Sequence, residues 1–425
     1  MQYREPLMNT CSCKLVIVCA FGLALATGFC ACTGRESDKK ALPAGGPWPT
    51  ILIAQAQFIY ENRDGKQLPK PGPAVLTLKQ KTPGGWKDTE LEDPQSNVFH
   101  KAMILDTGSK KMILTIGAMQ AALKLWELRG NSWQQTLLWN PAFGGKWDRL
   151  RDVEIGDVTG DGSAEIVMAT HDQGVVAVAA QRGQSWNISE IDREPEIFIH
   201  EVEIGDIDGD GKKEFFVTPS HPNKARGGPQ PGKVVMYRWN GSGFAKTVVD
   251  SYDKTHAKEI LVCDIDGRGV STLFSVFEAE TRREGDRLVR VEPVKIKQYS
   301  FTGGSVSNKV IATIDDFQCR FLTAGDIDGD GEVELVAAAM KTGLWLLKRR
   351  SGSWQVTLID ADSSGYEHAT CLADLDKNGT REIYVAADDQ QEFRRYSWNG
   401  NSFSKTVLSP IPRNRITWNV TAGTF

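Results

Sequence analysis

Through the body of the chain, short runs either alternate apolar and polar residues or stay apolar for four to six positions, and Gly, Asn, Asp or Ser turns separate them. That period-two text predicts β-strands. One pattern recurs seven times: a turn, an aromatic or apolar residue, then an alternating run. Its copies open at Gly85-Trp86, Ser132-Trp133, Ser185-Trp186, Gly243-Phe244, Ser305-Val306, Ser353-Trp354 and Ser402-Phe403. Before most of them lies another strand, such as Lys233-Val-Val-Met-Tyr-Arg-Trp239 or Leu344-Trp-Leu-Leu-Lys348. Each pair predicts an outer hairpin, and seven hairpins predict seven units.

A second repeated element sits earlier in each unit and carries the chemistry. His200 to Val217 reads as strand, acidic loop, strand, with Asp206, Asp208 and Asp210 at loop positions one, three and five, the carbonyl of Lys212 at seven and Glu214 at nine. Three further copies keep most of these groups: Asp157, Thr159, Asp161, Ser163 and Glu165; Asp326, Asp328, Asp330, Glu332 and Glu334; and Asp374, Asp376, Asn378, Thr380 and Glu382. So many oxygens in one loop make a cage for a hard cation. Calcium, which accepts six to eight oxygens in irregular geometry, fits better than magnesium. The spacing opens like an EF-hand but closes at position nine between strands, so the cage caps a hairpin. Two copies have decayed: Asp264-Ile-Asp266-Gly-Arg268 puts a guanidinium at position five, and Asp106-Thr-Gly-Ser109 is a short turn.

The first aspartates stand at 106, 157, 206, 264, 326 and 374, a period of about 50 residues, which is the length of a propeller blade. The first unit lacks an initial strand: Ile51 to Gln57 aligns with second strands. Arg415 to Thr421 is β-rich and has no partner of its own. The expected fold is therefore an all-β, seven-bladed β-propeller of four-stranded blades over residues 48–425, its ring closed by a C-terminal strand that completes the N-terminal blade. Closure removes the exposed sheet edges. The loops and their spacing resemble the FG-GAP/VCBS repeat family, whose acidic loops are similar to the calcium loops of integrin α-subunit propellers. The resemblance implies a propeller with calcium in the complete loops. It implies no single function, because propellers host binding and catalysis alike.

Composition changes the picture mainly at the N-terminus. Arg4 and Lys14 precede an apolar run from Leu15 to Phe29, and a polar segment follows, the layout of an export signal. Phe29-Cys30-Ala31-Cys32 resembles a bacterial lipoprotein signal with Cys32 as the lipidated residue. This predicts a signal peptide over 1–32, a tether over 33–47, and an exported protein at the cell envelope whose only membrane contact is the lipid. A net charge of −4 gives no reason to expect nucleic acid. Outside the leader only Cys263, Cys319 and Cys371 remain, an odd count that predicts core thiols rather than a disulfide framework.

The acidic loops should all lie on one face of the ring. Six positions before the first Asp stand His100, Arg151, His200, Arg320 and His368, with Lys258 in the fifth blade and His256 two residues before it. On innermost strands these would gather at the opposite mouth of the central channel. Three readings apply: a hydrated channel lining, an anion or carbohydrate site, or a His-ligated metal or acid/base set. Two long second-to-third connections, 219–232 and 278–293, should flank that mouth as recognition loops. The expected function is a monomeric, calcium-binding scaffold that binds a protein or carbohydrate ligand. The alternatives are a lyase-like enzyme on polysaccharide using the basic ring, and a structural subunit of an envelope complex.

Overall fold

A strand covered on both sides needs apolar residues at every position, whereas one facing solvent alternates. Both kinds occur in each repeat. The second strands Glu165–Thr170, Glu334–Ala339 and Glu382–Ala387 are buried at all positions, while the outermost strands Ser132–Trp139 and Ser353–Asp360 are exposed at most of theirs. The structure, a computed structural model, describes residues 47–63, 65–145, 148–183, 185–222 and 229–425. The expected export signal and Cys32 lie outside these residues.

All regular elements among the described residues are strands, and they form seven antiparallel four-stranded blades. The seven repeated runs are the seven outermost strands. Blade one takes its innermost strand, Arg415–Thr424, from the other end of the chain; it pairs with Pro49–Arg63, and Ala74–Thr82 and Gly85–Asp93 complete the sheet. The first strands of blades two to seven, Phe99–Asp106, Leu150–Gly156, Phe198–Gly205, Ala257–Cys263, Cys319–Gly325 and Thr370–Ala373, contact one another in order, and the closing strand joins the last to the first. Each of the seven blade-to-blade junctions has its own hydrophobic cluster. The core is a ring of wedges, so every blade depends on two neighbours.

Neighbouring first strands pack tightly where they run into the acidic loops. A Cβ at Gly205 would lie 2.4 Å from the Val262 side chain of the next blade. Glycine there is a packing requirement. Cys263, Cys319 and Cys371 are free thiols. Burial pushes Cys263 and Cys371 up to about 12 and Cys319 higher still, as expected of core cysteines.

Two features depart from the expected plan. Lys66–Pro71 folds back on the far half of Pro49–Arg63, an added hairpin on blade one. The long connection of blade five is not an irregular loop: Glu280–Glu284 and Arg287–Glu292 pair as a separate two-stranded hairpin. The alternating charges of Glu-Thr-Arg-Arg-Glu hid a strand with no apolar face.

Candidate functional site

The four complete acidic loops each join a first strand to a second strand, and each folds around its first aspartate. Asp206 accepts the Gly209 and Gly211 N–H groups at 2.7 and 2.8 Å, and Asp326 accepts those of Gly329 and Gly331 at 2.7 and 3.0 Å. Asp157 does the same with Gly160 and Gly162, and Asp374 accepts the N–H groups of Asn378 and Gly379. The position-five side chains Asp161, Asp210, Asp330 and Asn378 accept the N–H of Ser163, Lys212, Glu332 and Thr380. At the closing position, Glu165, Glu214, Glu334 and Glu382 accept N–H groups of Val158, Ile207, Ile327 and Leu375 with one oxygen.

The other oxygen is what a cation would use. In Glu382 it is buried and has no hydrogen-bond partner; in Glu214 and Glu334 it is buried against the cation of Arg238 or Lys348, at 2.8 and 3.0 Å. Ligand atoms of Asp157, Asp161 and Glu165, of Asp206, Asp208 and Asp210, of Asp326, Asp328 and Glu334, and of Asp374, Asp376 and Glu382 each lie within 4.8 Å of one another. Burial raises the pKa of Glu382, and its contact with Asp376 adds to the rise. A divalent cation would relieve that repulsion. These four loops therefore form groups able to hold a metal ion. The decayed loop of blade five keeps the turn around Asp264, but Arg349 of blade six binds Asp266 at 2.5 Å.

At the opposite end of the ring, a β-bulge marks most of the innermost strands. The extra residue is His100 in blade two, Arg151 in three, Lys258 in five, Arg320 in six and Trp418 in the closing strand. In blade four the irregularity spans His200 and Glu201. A bulge re-aims the side chain it carries. Apart from His256 and His368, the basic row singled out in the sequence is thus a row of bulged residues, and it does converge at one end of the channel.

It converges as a buried network rather than an open rim. None of His100, Arg151, His200, His256, Arg320 and His368 is more than 7% exposed. The connection between blades six and seven places Glu367 among them, where it accepts Arg320 at 2.5 Å and lies 3.5 Å from Arg151. Burial alone would raise the Glu367 carboxyl, but the two guanidiniums hold it below the usual range. Glu278 pairs with Arg320 at 3.4 Å, and Glu201 lies 3.7 Å from Arg151. Tyr366 and Trp418 stack on the two guanidiniums. Arg151 and Arg320 thus share three acids, Glu201, Glu278 and Glu367.

The histidines take mostly structural positions. His368 sits at φ 57°, donates Nδ1–H to the Ala339 carbonyl at 2.7 Å and accepts the Ser363 hydroxyl at Nε2 at 2.8 Å. His100 donates to the Leu150 carbonyl. The Lys258 ammonium donates to His200 Nδ1 at 2.8 Å, and burial with Arg320 and Arg151 nearby pushes this lysine down to about 7. His171, His200 and His256 stack in series with ring centres 5.1 and 5.0 Å apart, but they form no metal-spaced group. Burial pushes all five of these histidines down, His256 and His368 to about 4. The Asp388 carboxylate, in a second-to-third turn, accepts the Thr417 N–H and hydroxyl and so ties blade seven to the closing strand.

Sequence reasoning missed the acids of the channel. Asp152, Glu154, Glu201, Glu203 and Glu259 lie within two first-strand rows of Lys101, which pairs with Asp152 at 2.9 Å and with Glu154. Burial raises the carboxyls of Glu201, Glu203 and Glu259 well above normal, and neighbouring carboxylates add to the rise. Ionisable residues at alternate positions of otherwise apolar strands were the available signal.

The fold and its loops define a seven-bladed β-propeller with acidic loops at the first turn of its blades. Residues 157–217, which hold the loops of blades three and four, match the FG-GAP-like repeat family. Comparison with curated proteins by sequence finds no match. Among solved structures, the chain is similar to the periplasmic gluconolactonase of Pseudomonas aeruginosa, with 12% identity over 88% of this chain and 99% of that one at a TM-score of 0.51. It is also similar to a putative 6-phosphogluconolactonase of Bacteroides fragilis, with 12% identity, 90% and 99% coverage and a TM-score of 0.52. The lignostilbene dioxygenase of Pseudomonas brassicacearum matches with 9% identity, 91% and 94% coverage and a TM-score of 0.53. At these identities the likeness is of fold alone.

Proposed function

We propose that this protein is an exported, lipid-anchored, calcium-stapled propeller that binds a protein or carbohydrate ligand at the cell envelope. The observation that carries the reading is the burial and internal pairing of the channel cluster. Arg151 and Arg320 pair with Glu201, Glu278 and Glu367 inside the fold, and Lys258 lies against His200, so both guanidiniums are already engaged there. Recognition then falls to the surrounding surface. A cavity of about 470 Å³ lined by Pro195, Ile197, His221 and Pro222 opens beside the long connection of blade four. Calcium in the acidic loops would hold first and second strands together, a structural role.

The test uses the full chain. Acidic and neutral glycans are screened for binding and for unsaturated products, and melting is followed with calcium and with chelator. Ligand capture without product and a Tm that falls by several degrees on chelation are expected. Unsaturated products would favour the lyase-like alternative; a Tm indifferent to chelation would remove the calcium staple.

A further inference from the structure

The closing glutamate of each complete loop has a cross-strand neighbour on the third strand of its blade. The ladders pair Leu335 with Leu347, Phe215 with Tyr237, Ile166 with Ala179 and Ile383 with Tyr396. One step further along, Glu334 faces Lys348, Glu214 faces Arg238, Glu165 faces Ala180 and Glu382 faces Ser397. Opposite charges at such positions attract. In blade six the attraction is fully realised: the Lys348 ammonium lies within 3.0 Å of Asp328, Asp330 and Glu334. That side chain is 8% exposed, and Glu334 is 1% exposed. In blade four Arg238 reaches Asp208 at 2.6 Å and Glu214 at 2.8 Å, in a more open setting.

We infer that Lys348, and more weakly Arg238, is a built-in cation that occupies the metal position of its own loop, leaving blades three and seven as the loops that take a divalent cation. The inference rests on reading the acidic loops as cation cages. An ammonium touching three carboxylates stands where a calcium ion would sit, and the two cannot share the same oxygens. A tethered cation also has an advantage of effective concentration, because its stem is anchored one strand away. Blade seven has no such occupant. Ser397 is neutral, Arg395 stays 3.7 Å from Glu382, and the Glu382 oxygen aimed into the loop is buried without a hydrogen-bond partner. Blade three has Ala180 at that register, and the second Glu165 oxygen accepts only the neutral Thr159 hydroxyl, at 3.2 Å. The blades are thus stapled in two ways, two by a side chain and two by a metal.

Calcium stoichiometry of the full chain, measured by titration calorimetry, tests this. Wild type should bind two ions. Lys348→Met removes the ammonium while keeping the stem and should bind three, and in chelator its Tm should fall below that of wild type. Ala180→Lys supplies the missing cation to blade three and should bind one, which keeps the test alive if Lys348→Met does not fold. Four equivalent ions on wild type, or an unchanged count in a folded variant, would overturn the inference while leaving the calcium reading intact. No calcium on any of the three proteins would overturn both.

Discussion

At the scale of single residues, the channel cluster shows how burial decides what a polar side chain does. His368 is the clearest case. With both ring nitrogens engaged, it must stay neutral in the fold, and burial pushes it to about 4. The unfolded chain takes up its proton near 6.5, so protonation favours unfolding as the pH falls from 6.5 towards 4. His368 thus contributes stability that is present above pH 6.5 and is lost on acidification. His368→Asn keeps a residue that tolerates positive φ but cannot titrate. The variant should be less stable at pH 8, and its deficit should shrink by about 1.4 kcal/mol per pH unit between 6.5 and 4. Denaturation series at several pH values provide the check, and parallel stability curves would refute the assignment. The sequence marked His368 only as one of a basic row. Its left-handed backbone and the Ser363 partner came from the turn between blades.

At the scale of elements, the blade is held by turns as much as by its strands. Gly343 opens the third strand of blade six at φ 108°, and a Cβ there would lie 2.1 Å from the Asp360 carbonyl oxygen. Gly343→Ala forces both a disfavoured conformation and a backbone clash. It should cost about 2 kcal/mol or more, read as a shift of the denaturation midpoint. A midpoint equal to wild type would mean that the outer hairpin can slide to make room. The acidic loops and the outer hairpins were legible in the sequence because each is a local pattern with its own period. The blade-five hairpin was not, because Glu280–Glu284 and Arg287–Glu292 pair through the backbone alone and bury no apolar face.

At the scale of the whole molecule, ring closure is the interaction on which the rest depends. The closing strand pairs with Pro49–Arg63 in a register running from Pro49 opposite Thr424 to Gln57 opposite Arg415, and Trp48 and Phe425 exchange backbone hydrogen bonds. Removing residues 415–425 would bare the apolar edge from Ile51 to Ala54 and open the junction between blades seven and one. An exposed, apolar edge strand invites intermolecular pairing. The truncated chain should run as aggregate on size exclusion at a concentration where the full chain does not. A monomeric truncation with unchanged melting would show that the velcro strand is dispensable.

What the sequence determined by itself was everything written in local periods: seven blades, four-stranded sheets, acidic loops on a shared face, and a C-terminal strand left over for blade one. Such patterns are legible because strand alternation and loop spacing repeat within about 50 residues. Tertiary structure alone decided which charges meet across the ring. Glu367 of the blade-seven approach reaches Arg151 of blade three, and Arg349 of blade six caps a loop of blade five. Residues more than 80 positions apart in the chain are brought together by closure, and no local period encodes that. The basic row was visible, but its acidic partners Glu201, Glu278 and Glu367 were not, because they meet Arg151 and Arg320 only in the folded ring.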